Sequence, residues 1–245
     1  MPEVIIKDQI ESTNHLAKRL LQEGFDGEAI IIAKAQTRGQ GRFGRNWHSP
    51  EGGLYMSIIL RGSELPANYA LYGFALANAA LKVIEEITDL SVHIKWPNDL
   101  LVSGRKLGGI LSELVTENGN RFHVILGIGI NVNTRIEEFP LELQSISTSL
   151  LHETAKQVDM DAIAAGIFNN LTDFLDKDPS LETVVSIYKR NCITLGSSVI
   201  VEDGNRKIQG KAIDVLDTGT LLLEDMNGVK MLVSVGDIIH LEEDV

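Results

Sequence analysis

A glycine-rich segment with two arginines is the first place where chemistry is expected. Gly39, Gly41 and Gly44 match the dinucleotide-binding spacing G-x-G-x-x-G. That interpretation needs the third glycine to open a helix, and the Trp-His-Ser-Pro-Glu-Gly-Gly sequence that follows does not favour one. The glycines instead let backbone N–H groups approach an anion that Arg42 and Arg45 would neutralise. We predict a phosphate-binding loop, with a solvated surface loop as the alternative.

A second cluster combines residues 95–99, Lys-Trp-Pro-Asn-Asp, with residues 104–109, Gly-Arg-Lys-Leu-Gly-Gly. Pro97 cannot continue an interior strand, so the two polar residues after it are expected in a turn, facing a cavity. Lys106 starts an apolar strand and is expected to project its ammonium group over the same cavity. The alternative is a hairpin with a glycine turn and two incidental lysines.

Two further segments carry polar groups that suit a ligand. Residues 127–133 form an apolar run in which two glycines leave room on one side and Asn131 offers hydrogen bonds. Ser12, Thr13 and Asn14 precede an apolar i, i+4 stripe that ends at a glycine, which predicts a helix with a polar N-cap. A bulged core strand and an ordinary helix cap are the corresponding alternatives.

The composition is that of an ordinary globular chain, with 245 residues, 44% of them hydrophobic, and a formal net charge of −12. A chain of this length buries roughly 70–75% of its unfolded surface, so its core needs no disulfide or metal. The single cysteine, Cys192, cannot form an internal disulfide, and no signal peptide or long apolar run occurs in the sequence. These features predict a cytoplasmic location and no membrane partner.

The charge is distributed unevenly along the chain. Between residues 33 and 61 there are five lysine and arginine residues and one acid. A positive segment in an acidic chain is expected to meet an anion, while the chain as a whole repels the phosphate backbone of nucleic acids. We therefore expect a small anionic ligand and no DNA partner.

Hydrophobic periodicity predicts the elements that position these groups. Besides the helix after Ser12, it predicts strands over 29–33, 54–60, 91–95, 106–114 and 123–132 and helices over 69–87, 160–175 and 180–191. Because the strands cluster, an α+β fold with a mixed β-sheet flanked by helices is favoured. After Leu195, short β-rich runs with glycine turns predict a small antiparallel barrel. We expect a larger domain over 1–192 and a C-terminal domain over 193–245.

Together these segments resemble the catalytic core of the biotin protein ligases. The resemblance rests on residues 12–14, 36–47, 95–99, 104–109 and 127–132, and it includes the small C-terminal barrel. It covers essentially the whole chain, and its most specific part is the pair Lys-Trp-Pro-Asn-Asp and Gly-Arg-Lys-Leu-Gly-Gly-Ile-Leu at their mutual spacing. The resemblance implies a class II synthetase-like sheet domain followed by an SH3-like β-barrel.

The resemblance also implies an ATP-dependent, AMP-forming enzyme. In this family biotin and ATP form biotinyl-5′-adenylate and pyrophosphate, and biotin then passes to one lysine of a biotin carboxyl carrier protein domain, such as that of acetyl-CoA carboxylase. A carboxylate approaching a triphosphate is repelled by like charge, and a lysine between the two removes that barrier. Mg²⁺ is expected on the ATP phosphates with few protein ligands, so no metal site is predicted in the chain.

Individual roles follow from the resemblance. Asp99 is the candidate acceptor of the proton from the carrier lysine. The adenine is expected against the indole of Trp47. The catalytic set is Lys106, Arg42, Asn98 and Asp99. The biotin-binding set is Ser12, Thr13, Asn14, Gln36, Gly39, Gln40, Gly41, Arg42, Lys106 and Gly109. The ATP-binding set is Arg42, Arg45, Trp47, Lys95, Asn98 and Asn131.

Two departures from the family pattern bear on function. Many relatives have Gly-Arg-Gly-Arg-x-Gly-Arg in the loop, whereas this chain has Gln40 at the first arginine position. Retention of the adenylate would be weaker if that arginine acts through its side chain, and unchanged if it acts through its backbone N–H. Some relatives also carry an N-terminal helix-turn-helix, but only eleven residues precede Ser12, so we expect no DNA-binding domain.

Other functions stay open at this point. A lipoate ligase shares the acyl-to-lysine chemistry, although the polar residues 12–14 and Gln36 suit the ureido group of biotin better than a dithiolane. An octanoyl transferase would need a nucleophilic cysteine, and Cys192 lies far along the chain from every ligand cluster. A biotin sensor without turnover would have no need of Lys106 and Arg42. The sequence does not decide whether the chain forms a homodimer.

Overall fold

A mixed seven-stranded sheet dominates the computed structural model, which describes residues 2–62, 69–117, 121–177, 182–203 and 206–241. Its strands are β1 (Glu3–Ile10), β2 (Ala29–Gln36), β3 (Leu54–Gly62), β4 (His93–Lys95), β5 (Asp99–Val102), β6 (Arg105–Glu117) and β7 (Arg121–Ile130). The strand order is β1-β2-β3-β7-β6-β5-β4. Strands β1 and β2 are parallel, and all other neighbours are antiparallel.

Helices pack on both faces of this sheet. They are α1 (Thr13–Gln22), α2 (Ala70–Thr88), α3 (Leu141–Gln144), α4 (Leu150–Thr154), α5 (Met160–Lys177) and α6 (Glu182–Asn191). Side chains alternate across a strand, so Ile31 and Ile59 join α1 in a small apolar cluster, while Ile30 and Ile58 face α2, α5 and α6 in the main core. No helix in the described part of the chain is long and apolar enough to cross a lipid bilayer.

A second, antiparallel sheet is packed into the same core. Its strands are β8 (Ser198–Asp203), β9 (Arg206–Val215), β10 (Leu221–Glu224), β11 (Lys230–Val233) and β12 (Asp237–His240), in the order β11-β10-β9-β8-β12. Val199 and Leu223 belong to the main core cluster. Trp96, which is 1% exposed, donates from Nε1 to Gly219 O and from its backbone N to Thr194 Oγ1, each at 3.0 Å. The C-terminal sheet is therefore fixed to the larger one.

The observed architecture confirms the predicted α+β class, with a mixed sheet flanked by helices and a small C-terminal sheet of the SH3-like type. The predicted strands are present with bounds shifted by a few residues, but the sequence analysis missed β1 and β5. The expected turn is shorter than predicted, because Asp99 already pairs with Lys95 and Gly109 as the first residue of β5. The last predicted helix is described from Glu182, and residues 180 and 181 lie outside the described residues.

Replacing Trp96 by Phe tests the link between the sheets. The change removes the indole N–H and leaves the Gly219 carbonyl without this donor, so we expect the free energy of unfolding to fall by about 1–3 kcal/mol. Urea unfolding followed by circular dichroism measures the change. The control Leu232→Ala, at a side chain 63% exposed on β11, should alter stability by less than about 0.5 kcal/mol. A Trp96→Phe protein as stable as the wild type would contradict this role.

Candidate active site

One cavity of about 250 Å³ collects most of the residues predicted from the sequence. Those that line it are Ser12, Thr13, Asn14, Gln36, Gln40, Gly41, Arg42, Arg45, Trp47, Lys95, Asn98, Asp99, Lys106 and Gly109. The other lining residues, which were not among the predicted site residues, are Asn46, Trp96, Pro97, Ile110, Leu111, Gly127, Ile128, Gly129, Asp237 and Ile238. The three motif clusters therefore meet in space, together with part of β12.

Two predicted residues, Gly39 and Asn131, do not line the cavity. A Cβ atom at Gly39 would lie 2.4 Å from Ser49 Oγ and 2.5 Å from Trp47 O, so this glycine allows the two arms of the loop to approach. Asn131 is 2% exposed and donates from Nδ2 to Thr148 O at 2.9 Å. Its Nδ2 links the segment before α4 to the end of β7, while its Oδ1 is buried without a hydrogen-bond partner in the described part of the chain.

The loop between β2 and β3 folds into a short hairpin. The backbone N of Gly41 donates to Arg45 O at 2.8 Å, and that of Trp47 donates to Gly39 O at 2.9 Å. A single 3₁₀ turn, Arg42–Gly44, forms the tip. No helix follows Gly44 in residues 45–53, so the structure agrees with rejecting the dinucleotide-binding interpretation.

Lys106 projects from β6 into the cavity. Its Nζ lies 2.7 Å from Asp99 Oδ1 and 5.5 Å from the centroid of the Trp47 ring. Gly109 lies beneath all three, since a Cβ atom there would be 3.7 Å from each side chain. The lysine, its acidic neighbour and the tryptophan therefore lie close together in the cavity.

The arginines of the loop are held by the C-terminal sheet. Arg45 forms an ion pair with Asp237 at the start of β12. Arg42 Nη1 donates to Gly236 O at 3.2 Å and to Asn98 Oδ1 at 3.3 Å. Asp237 carries no motif signal, because only the tertiary fold brings it to an arginine 192 residues away in the chain. The C-terminal sheet therefore forms one wall of the cavity.

The cavity is positive within an acidic chain. Four cations and two carboxylates line it, giving a formal charge of +2 in a chain of −12. Removal from water lowers the pKa of Arg42 and of Lys95, and the carboxylates of Asp99 and Asp237 oppose both shifts. The ammonium group of Lys106 lowers the pKa of Lys95 further. Cations that have lost water without full pairing are suited to an anionic ligand.

A polar network forms the other end of the cavity. Thr13 N donates to Gln36 Oε1 at 2.8 Å, and Gln36 Nε2 donates to Ser49 Oγ at 3.0 Å. Ser57, fully buried on β3, donates to Asn14 Oδ1 and lies 2.7 Å from Thr13 Oγ1. The sequence analysis missed Ser57 because a lone serine inside an apolar strand belongs to no motif. These bonds fix the orientation of the polar groups at this end.

Ser12 is both the N-cap of a helix and a residue of the cavity lining. Its Oγ accepts from His15 N at 3.5 Å as the N-cap of α1, and the residue also lines the cavity. Behind it, Asn14 Nδ2 donates to Glu113 Oε2 at 2.9 Å, and Glu113 pairs with Lys18 at 2.7 Å. The amide of Asn14 is therefore held from both sides, by Ser57 and by Glu113.

Glycines on β7 make room for Trp47. A Cβ atom at Gly129 would lie 2.5 Å from Trp47 Nε1, so the indole rests directly on the strand backbone. Trp47 Nε1 is buried and has no hydrogen-bond partner in the described part of the chain. A buried unpaired donor beside a cavity is available to a ligand.

Cys192 lies outside the cavity lining. Its thiol is free and buried, and its backbone pairs with that of Ile94 on β4 in an isolated parallel β-bridge. Burial raises the pKa of this thiol, which opposes formation of the nucleophilic thiolate. Within the described residues, no three His, Cys, Asp or Glu side chains are arranged to hold a metal ion.

Two family models match the chain. Residues 6–131 match the model described as "Biotin/lipoate A/B protein ligase family", and residues 194–241 match "Biotin protein ligase C terminal domain". The first model spans the polar end of the cavity, the glycine-rich loop and Lys106, and the second spans the sheet that supplies Asp237. Both parts of the cavity therefore fall within matched segments.

Individual proteins are similar over nearly the whole chain. The bifunctional ligase/repressor BirA of Bacillus subtilis (strain 168) is 33% identical over 238 residues, covering 94% of this chain and 72% of that protein. A biotin--[acetyl-CoA-carboxylase] ligase of Mycobacterium tuberculosis is 32% identical over 247 residues, covering 95% and 87%. The structure of a biotin protein ligase from Aquifex aeolicus in complex with biotin and ATP superposes with a TM-score of 0.81 at 30% identity, covering 99% of this chain and all of that one.

Changing Gly129 to Ala should displace the indole of Trp47, because the new Cβ atom would lie 2.5 Å from Nε1. We expect acrylamide to quench Trp47 fluorescence more strongly, by about twofold, while Trp96 stays protected at 1% exposure. The matched control is Gly109→Ala, whose Cβ atom would come no closer than 3.7 Å to the same ring. Equal quenching of the two variants would show that Gly129 does not seat the tryptophan.

Replacing Lys95 by Met should stabilise the protein near pH 7, since the folded state holds an ammonium group whose pKa is lowered by burial. The unfolded chain binds the Lys95 proton more tightly than the folded protein does. The free energy of unfolding of the wild type therefore rises as the pH approaches 10.5, the ordinary lysine pKa, and the advantage of the variant shrinks. Denaturant unfolding at pH 7 and pH 10 measures both effects. The exposed control Lys211→Met should show neither. A variant less stable than the wild type at pH 7 would refute this account.

Proposed function

Because the chain belongs to the biotin protein ligases of the biotin/lipoate A/B protein ligase family, we propose that it is the ATP-dependent enzyme that joins biotin to a lysine of a biotin carboxyl carrier protein through biotinyl-5′-AMP. One observation carries the proposal: the ammonium group of Lys106 lines the same cavity as the polar residues 12–14 and the three other cations, and lies 2.7 Å from Asp99 Oδ1. Such an arrangement suits the joining of a carboxylate to a phosphate.

The polar end is the proposed site for the biotin head. Ser12, Thr13, Asn14 and Gln36 offer oriented donors and acceptors that suit a ureido group, and Ile110, Leu111 and Ile128 supply the apolar wall that a bicyclic ring needs. The backbone of the loop from Gly39 to Arg42 would close over this ligand, with Gln40 contributing through its lining position. The network through Ser57 and Glu113 supports the proposal because it leaves these polar groups little freedom to rotate.

The cationic end is the proposed site for ATP. Arg42, Arg45 and Lys95 would hold the phosphates, with Asn98 beside Arg42 and the adenine against Trp47. Mg²⁺ would arrive on the phosphates, where it screens negative charge and binds few protein groups. Asn131 would support this end from outside the cavity, through its bond to Thr148 O.

In the first step a carboxylate oxygen of biotin attacks the α-phosphorus, and the bond to the β-phosphate breaks to release pyrophosphate. Lys106 is positioned to leave Asp99 and stabilise the charge shared by carboxylate and α-phosphate. In the second step the carrier amine attacks the biotinyl carbonyl carbon, and the bond to AMP breaks. Asp99 is the proposed acceptor of the amine proton.

Two members of the same fold class are the alternatives. A lipoate ligase would use the same cationic end and differ only at the polar end, so the substrate must be tested directly. An octanoyl transferase needs a reactive cysteine, and the buried Cys192 with its raised pKa is poorly suited to that task. A cytoplasmic location and the absence of a DNA partner stay predictions from composition.

Biotin-dependent exchange of pyrophosphate into ATP tests the proposal, run in parallel with lipoate and octanoate. We expect exchange with biotin only, and a fall of about 10²-fold or more in Lys106→Ala, because its charge acts on the transition state. The control Lys34→Ala removes an exposed lysine that pairs with Asp8 outside the cavity and should exchange normally. Exchange with lipoate alone would assign the sister function, and tight biotin binding without exchange would indicate a sensor.

Replacing Cys192 by Ala separates the ligase from a cysteine-dependent transferase. The thiol lies outside the cavity, so biotin-dependent exchange should stay within about twofold of the wild type after correction for the folded fraction. Thermal unfolding of the same preparation supplies that correction. A well-folded Cys192→Ala protein without acyl transfer would favour the covalent mechanism.

A further inference from the structure

Arg105 directly precedes Lys106 in the Gly-Arg-Lys-Leu-Gly-Gly segment, but it does not line the cavity. Successive side chains of a strand point to opposite faces, so the two neighbours are directed to different sides of β6. The guanidinium group reaches α4, where Nη2 donates to Glu153 Oε1 at 2.8 Å. Its Nη1 lies 3.3 Å from His152 Nε2. The arginine of this motif therefore forms its ion pair outside the cavity.

The carboxylate of Glu153 joins two separate segments of the chain. Besides the bond from Arg105, Oε1 accepts from Thr148 Oγ1, and Oε2 accepts from Ser103 Oγ at 3.2 Å. The side chain is only 10% exposed. Burial raises the pKa of this carboxyl, but the hydrogen bonds from Thr148 and Ser103 and the positive charge of Arg105 together outweigh burial and lower it. Glu153 is therefore a charged link between the turn before β6 and the segment before α4.

The same segment before α4 holds the backbone of Lys106. This lysine lies beyond the last residue of β7 in the sheet, and the segment takes the place of β7 there as an isolated parallel bridge. Lys106 N donates to Ile146 O at 2.8 Å, and Thr148 N donates to Lys106 O at 2.9 Å. On its other edge, Lys106 pairs with Leu101 of β5. One of the two edges that fix Lys106 therefore belongs to the segment that Glu153 binds.

Thr148 connects the two sets of bonds. Its backbone N donates to Lys106 O, its side chain donates to Glu153, and the residue is fully buried. Glu153 thus reaches Lys106 by two routes, through Thr148 and through Arg105, the adjacent residue of β6. The ammonium group stands at the end of a flexible four-carbon stem, so the backbone position decides which points Nζ can occupy. Its contact with Asp99 at 2.7 Å depends on that position.

We propose that Glu153 is a positioning residue for Lys106 and acts from outside the cavity through Arg105 and Thr148. Loss of its charge lets the segment before α4 separate from β6, so that the ammonium group spends less time where the carboxylate and the α-phosphate meet. The rate of adenylation should fall, while biotin binding should not change, because the polar end of the cavity comes from α1 and β2. The kinetic consequence rests on the proposed function, whereas the structural consequence does not.

Amide hydrogen exchange of the full chain without ligand tests the structural consequence. Glu153→Gln keeps the shape of the side chain but replaces one acceptor oxygen by an NH₂ donor. We expect the amides of Lys106 and Thr148 to exchange at least about tenfold faster than in the wild type, while those of β2 keep their rates. The control Asp214→Asn, which breaks a 2.8 Å ion pair with Lys189, should leave the two rates unchanged. Unchanged exchange in Glu153→Gln would overturn the proposal, whichever substrate the cavity binds.

Biotin-dependent pyrophosphate exchange tests the kinetic consequence. Glu153→Gln should lower kcat at least about tenfold and change the KM for biotin by less than about twofold, and Asp214→Asn should change neither. In the Lys106→Ala background the same substitution should lower kcat by less than about twofold more, because the group that it positions is already gone. Multiplicative losses in the double variant, or a raised KM with kcat unchanged, would contradict the positioning role. A wild type without exchange would refute the proposed function instead, and the amide exchange rates would then decide on Glu153.

Discussion

Mutual repulsion among four cations in one small cavity is the constraint that the rest of the structure accommodates. Two carboxylates from distant parts of the chain offset part of it, since Asp99 contacts Lys106 and Asp237 contacts Arg45. The remaining excess of positive charge is held in place by the fold, and a bound anion would offset it. β5 supplies Asp99, the glycine-rich loop supplies Arg42 and Arg45, and the C-terminal sheet supplies Asp237.

The aromatic floor of the cavity depends on the absence of side chains. Trp47 lies on Gly129, and Lys106 extends over its ring, so a glycine on a central strand sets the depth of the site. The neighbouring polar end is built in the opposite way, by hydrogen bonds between buried side chains such as Thr13, Asn14 and Ser57. The cavity thus combines an aromatic surface seated on glycine with a hydrogen-bonded polar surface.

Most of the fold and of the site could be predicted because the informative residues lie in short local motifs. Lys106 and the arginines of the loop stand out through spacing and glycine content, which act within a few residues. Asp237 and Ser57 could not be found in that way, because their partners are distant in sequence and neither residue lies in a motif. Strand β1 was missed because its edge position leaves it exposed, without the alternation of a half-buried strand. Asn131 belongs to a motif but lies outside the cavity lining, and its Nδ2 donates to Thr148 O.

The ion pair between Arg45 and Asp237 joins residues that are 192 positions apart. During synthesis, the polar end of the cavity can therefore form before the wall that contains Asp237. The polar end is assembled largely from the first third of the chain, whereas the wall that contacts Arg45 needs a strand near the end of the described residues. Closing so long a loop has a high entropic cost and is slow relative to local folding. A nascent or C-terminally shortened chain would therefore hold all four cations of the cavity without the carboxylate of Asp237 that pairs with Arg45.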